Sequence, residues 1–201
     1  KLTDFRAQTG HNKLSLSGKV DDLLGAMNTD LTLKADLQLQ ELKPLLPSEI
    51  AINSKNLAHL DLHAKTNLRQ IENVDIANML INGALRLKNV SVQLDSIEAE
   101  TPELNVTFNT TPNQKGRVEE ELMTAKVSST GIHANIANAN MLADLSKLKL
   151  DVSISNILDT TVPFAMDCIF DIGGAKVDMD TFKASLASPS GNFKMQPHRS
   201  N

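Results

Sequence analysis

Leu31-Thr32-Leu33-Lys34-Ala35-Asp36-Leu37-Gln38-Leu39-Gln40 decides the fold, because every odd position is apolar and every even one polar. Successive side chains of a β-strand leave opposite faces of the pleat. Alternation with period two is therefore the pattern of a strand with one face buried and the other in water. A slip of one residue would invert every side chain, so the pattern also predicts register. Leu31, Leu33, Leu37 and Leu39 are expected on an apolar side, with Thr32, Lys34 and Asp36 toward water.

The same alternation recurs outward from this stretch, in Leu60-Asp61-Leu62-His63-Ala64, Leu104-Asn105-Val106-Thr107-Phe108 and Leu148-Lys149-Leu150-Asp151-Val152-Ser153-Ile154. Phe164, Met166, Cys168, Phe170 and Ile172 continue it, followed by Gly173-Gly174 and then by Val177 and Met179. Two adjacent glycines supply the positive φ angles of a tight turn, so a hairpin is predicted here. Leu85 and Leu87 are odd whereas Val90, Val92 and Leu94 are even, which predicts a bulge or tight turn at Lys88-Asn89. Leu31, Leu33, Leu37, Leu39, Leu150, Val152, Ile154, Phe164, Met166 and Phe170, with Ile172, are the candidates for the apolar face.

Helical signals are few. Asp21-Asp22-Leu23-Leu24 predicts a short helix over 21–27, with acidic residues at its N-terminal end. Prolines at 44 and 47 limit another piece, over 41–46, to a turn or two. In the run from 137 to 148 the spacing of Met141, Leu142, Leu145 and Leu148 fits either a short helix, over 137–145, or a strand. A small polar residue, Gly, any residue and a hydrophobic one recur as Ser17-Gly18-Lys19-Val20, Asn82-Gly83-Ala84-Leu85 and Ser190-Gly191-Asn192-Phe193. The predicted fold is mainly β: antiparallel hairpin repeats form an elongated curved sheet, groove or sandwich, with few short helices. It is expected as one unit over residues 1–201, with a weak subdivision near 112–117.

Composition removes several functions. A net charge of −4 provides no basic field for nucleic acid. There is no Trp or Tyr and only six Phe, too few flat rings for base-stacking or sugar-binding shelves. The aliphatic remainder suits packed β layers or contact with acyl chains. Cys168 is the one cysteine and stands at an apolar position of the alternation, where it reads as a small hydrophobe. No stretch reaches the roughly 18 apolar residues of a membrane span. The chain opens at Lys1 directly in a strand-like pattern without a signal peptide, and so reads as an excised or processed piece.

No constellation recommends catalysis. His59-Leu60-Asp61-Leu62-His63 would make a zinc pair on a helix, but on a strand its histidines stand roughly 13 Å apart and read as a solvated polar face. Ser146-Lys147-Leu148-Lys149 matches the S-x-x-K of serine acylases without their companion motifs. Glu119-Glu120-Glu121 reads as solvated surface. The chain is expected to have no catalytic residue, no cofactor and no metal.

Three phrases carry a resemblance. These are Lys13-Leu14-Ser15-Leu16-Ser17-Gly18-Lys19-Val20-Asp21-Asp22-Leu23-Leu24, then Leu37-Gln38-Leu39-Gln40-Glu41-Leu42-Lys43-Pro44-Leu45-Leu46-Pro47, and Phe182-Lys183-Ala184-Ser185-Leu186 through Ser190-Gly191-Asn192-Phe193. Together they resemble the AsmA-like family of bacterial envelope proteins; residues 129–148 fit it poorly. The resemblance implies a Gram-negative periplasmic module, anchored to the inner membrane by a helix absent from this chain. It also implies support for outer-membrane assembly or lipid transfer, with lipid acyl chains or envelope proteins as partners. The competing reading is a structural or adhesin-like β domain for protein–protein interaction, with a closed core.

Overall fold

A computed structural model of the chain describes residues 2–22, 24–41, 50–54, 56–73, 78–111, 122–155 and 165–195. The alternating segments lie mainly in strands, and among the described residues fifteen strands join one antiparallel sheet. β1 (Leu2–Thr9), β2 (Asn12–Asp21) and β3 (Asn28–Gln38) run up and down as neighbours. Next come β4 (Ile50–Ser54) and β5 (Leu57–Thr66), both paired with β6 (Leu80–Leu94), and then β7 (Ile97–Thr111).

Eight further strands form four couples, the members of each continuing one another: β8 (Leu122–Ser129) with β9 (Ile132–Ile136), β10 (Met141–Leu145) with β11 (Leu148–Ser155), β12 (Ala165–Ile172) with β13 (Gly174–Met179), and β14 (Phe182–Ala187) with β15 (Ser190–Met195). Counting each couple as one, β4 with β5 included, the sheet is a ten-strand meander in which every strand lies beside its predecessor. At about 4.8 Å per strand it is roughly 43 Å wide. Among the described residues its two edge strands do not pair with each other, so it is open.

Register converts the local alternation into two faces. Ala7, Leu14, Ala35, Leu60, Leu85, Val106, Val127, Leu150, Phe170 and Gly191 stand opposite one another from strand to strand, an unbroken row across the sheet. One residue along, Ser15, Lys34, Asp61, Ala84, Thr107, Lys126 and Asp151 form a row on the other face. One face is apolar, the other polar.

Several expected turns and helices differ. β12 and β13 are not a hairpin: β12 pairs with β11 and β15, and β13 with β10 and β14. Gly173 serves close approach instead, since a Cβ there would lie 2.9 Å from both Lys147 Cβ and Ser146 Oγ. Within 21–27 the described residues make a turn, not a helix. Asp22 O accepts the Gly25 and Met27 N–H groups at 3.1 and 2.9 Å, and Asp22 Oδ2 accepts Ala26 N–H at 2.8 Å. The acidic residue thus takes the amides that a helix would have carried further. In 137–145 the strand reading holds for β10, preceded by a 3₁₀ turn over Ala137–Ala139. Of 41–46 only Glu41 is described, at the end of a 3₁₀ turn over 39–41. The described α-helix, α1 (Leu68–Glu72), was not anticipated; Asn67 and Gln70 close a capping box at its start.

Candidate functional site

The apolar face is uncovered among the described residues. The elements in substantial contact are strand neighbours, and α1 lies between β5 and β6 in the chain, at one end of the strands. Among the described residues the buried apolar ones are Ala35, Ala58, Met79 and Val90, and no large side chain is fully enclosed. A closed sandwich of this size would bury a full layer of leucines and valines. Here those residues are mostly half-buried, held by their neighbours in the same sheet, and toward the edges Phe5, Phe182, Leu186 and Phe193 are more than half exposed.

Leu31, Leu33 and Leu37 stand in β3 opposite Ala64, Leu62 and Ala58 of β5. Leu150, Val152 and Ile154 stand in β11 between Val127, Ala125 and Met123 on one side and Phe170, Cys168 and Met166 on the other. Ile172 faces Leu148 in the same layer. Leu39 falls just past β3, in the 3₁₀ turn, and Phe164 lies outside the described residues. The expected residues therefore form two patches at separate places in the sheet. The bridge between them, Leu60, Leu85, Val106 and Phe108 with their neighbours, was missed as site material although its alternation is plain in the sequence.

A crease crosses this face. In β6 the apolar positions step by three from Leu87 to Val90; β7 does the same from Thr101 to Leu104. The step repeats from Ser129 to Ile132, from Leu145 to Leu148 and from Ile172 to Ala175. Residues three apart in a flat strand face opposite sides, so one residue in each strand must leave the pleat. Asn89 does so with φ 47°, in the left-handed region that Asn tolerates better than most residues. Register is unchanged across the line: Leu104 pairs with Ser129 below it, and Ile97 with Ile136 above. On the other side of β6, the register with β4 (Ser54 opposite Val90) and that with β5 (His59 opposite Arg86) differ by one residue, so the bulge expected at Lys88-Asn89 sits in the neighbouring couple.

Hydroxyls at and beside buried positions hold the crease. Thr101 Oγ1 and Ser129 Oγ are 2.9 Å apart, although their positions in the ladder differ by three residues, about 10 Å along a flat sheet. Both side chains are therefore on the same side, and the sheet folds toward it. Ser129 Oγ also accepts Gly131 N–H at 3.1 Å, and Ser54 Oγ accepts Asn56 N–H at 3.2 Å while lying 3.2 Å from Lys88 O. Ser54, Val90 and Ser129 are all buried, which places the inside of the fold on the apolar face.

The polar face is a field of cross-strand pairs. His59, Asp61 and His63 each have a separate partner: His59 Nδ1 lies 2.6 Å from Asp36, His63 Nε2 2.7 Å from Asp30, and Lys34 Nζ 3.4 Å from Asp61. Hydrogen bonds from His63 and then Lys65 hold the Asp30 carboxyl below its ordinary range, and His11 does the same for Glu41. Ser146 lies at the crease, its N–H on Gly174 O at 2.9 Å; Lys149 is on the polar face. Glu119, Glu120 and Glu121 lie outside the described residues. Neither a protein-family model, nor a curated protein, nor a solved structure matches the chain.

Proposed function

We propose that this chain is a non-enzymatic β module that holds lipid acyl chains on its creased apolar face, as part of an AsmA-like periplasmic protein anchored to the inner membrane. The observation that carries the reading is the ten-residue apolar row from Ala7 to Gly191, in which, among the described residues, no large side chain is fully buried. A closed structural core would need a second layer, and among the described residues nothing supplies one. The crease supports the same reading, because it turns the apolar residues inward and forms a trough.

Each methylene removed from water onto such a surface contributes about 0.8 kcal/mol, so an acyl chain would be held without any single indispensable residue. The envelope setting and the role in outer-membrane assembly or lipid transfer rest on the three AsmA-like phrases. The test is organic extraction of the purified chain followed by mass spectrometry. Co-purifying phospholipid that is lost in a folded Leu33→Asp/Val152→Asp variant is expected. A lipid-free native chain that binds none on addition would favour the structural reading.

A further inference from the structure

We infer a second binding site, for a phosphate-type oxyanion, on the opposite, polar face of the sheet. A cavity of about 1170 Å³ lies there, spanning β1 to β8. Sheets twist, so a surface bent toward one face along the strands can curl toward the other across them. The volume is ample for a small ligand or a headgroup.

Charge selects the ligand. Arg6, Lys13, Lys34, Arg86 and Lys126 line the cavity against only Asp36 and Asp61, in a chain whose net charge is −4. Both carboxylates are already engaged, Asp36 by His59 at 2.6 Å and Asp61 by Lys34 at 3.4 Å. Arg6 and Lys126 are paired outward, with Asp4 and Asp151. Among the described residues the side chains of Lys13 and Arg86 have no ionic or hydrogen-bonding partner.

Neutral donors converge beside Arg86. Asn82 stands opposite Asn109, and Ala84 opposite Thr107, so two amides and a hydroxyl flank the small Ala84 side chain toward β7, while Asp61, held by Lys34, stands opposite it in β5. The side chains of Asn82, Asn109 and Thr107 also have no partner among the described residues. The Arg86 guanidinium, two residues along β6 from Ala84, presents a planar fork that matches an oxyanion in two bonds. Lys13 shares its row three strands away, about 14 Å on a flat sheet and nearer on a concave one. Lys13 thus serves a second charge of an extended anion. A free oxyanion and an anionic lipid headgroup present the same chemistry to this site.

The test is amide NMR of the full chain with pyrophosphate and, separately, with vesicles of phosphatidylglycerol in phosphatidylcholine. Shifts confined to residues 82–86, 105–109 and Lys13 are expected. Arg86→Gln should weaken binding about tenfold and Lys13→Gln less, while Lys176→Gln, an unpaired lysine beyond the crease, should leave it unchanged. Response to pyrophosphate identifies a soluble anion as sufficient; response to vesicles alone identifies the headgroup. Silence toward both, or equal weakening by Lys176→Gln, overturns the site. Because the cavity faces away from the apolar layer, either result leaves the acyl-chain reading to its own test.

Discussion

Ser129 Oγ lies 2.9 Å from Thr101 Oγ1, joining two residues that a flat ladder would keep three positions apart. Ser129 is 5% exposed, so its truncation strands Gly131 N–H away from water. Ser129→Ala should cost about 1–3 kcal/mol in urea denaturation, and Thr101→Val less, because Thr101 is only half-buried. Hydrogen exchange at Thr130 and Gly131 should accelerate in the first variant. Unchanged exchange there would mean that the hydroxyls do not hold the crease.

Three glycines that look alike in sequence should respond differently to alanine. At Gly18 a Cβ would meet Asp30 O at 2.1 Å with φ at +149°, so both backbone and neighbour resist. At Gly83 the obstacle is Phe108 Cζ at 2.2 Å, the far end of a ring that can swing; at Gly191 it is Phe170 Cζ at 3.0 Å, on an edge strand. Gly18→Ala should cost more than about 2 kcal/mol, Gly83→Ala less and Gly191→Ala least. Thermal denaturation of the three variants checks the order, and a reversed order would refute the assigned contacts.

Those glycines mark how much of the fold was legible. Alternation is a local property, so Leu31, Leu33 and Leu37 could be placed from ten residues, whereas the glycine phrases read as a loose repeat and did not show that a Cβ would meet the Asp30 carbonyl at Gly18 and a Phe ring at Gly83 and Gly191. The crease was not legible. Ile172 and Ala175 on either side of Gly173-Gly174 look like the two arms of a tight turn when read alone. Only the alignment of that step with Leu145/Leu148 and Ser129/Ile132 in neighbouring strands shows that the chain bends without reversing.

Acid should weaken the sheet at its N-terminal end. Asp30 accepts from His63 at 2.7 Å and from Lys65 at 3.0 Å, and Glu41 from His11 at 2.7 Å. Both carboxyls sit below their ordinary range, so their contribution is present above the unfolded values near 4 and is lost as pH falls through the lower folded ones. Denaturation midpoints should therefore drop on acidification through that window. Asp30→Asn and Glu41→Gln should flatten the drop, and high salt should shrink the difference because these groups are exposed. An identical acid limb in the double variant would contradict these assignments.

The candidate site was legible in pieces. Leu150, Val152 and Ile154 announced an apolar side, but no local pattern states whether a second layer covers it. That property depends on packing from elsewhere, which is read from the three-dimensional arrangement and, among the described residues, is not seen. The register row through Leu60, Leu85 and Val106 then joins the β3 patch to the β11 patch.

The most direct measurement is site-specific photo-crosslinking in living cells, with the reactive side chain placed at Leu150 or, one residue away on the opposite face, at Lys149. Both variants are first shown to fold by circular dichroism. Acyl-chain contact predicts lipid adducts from Leu150 and from Leu33, and none from Lys149. Protein adducts alone from the apolar positions, or equal lipid capture from Leu150 and Lys149, would contradict the proposed apolar lipid face.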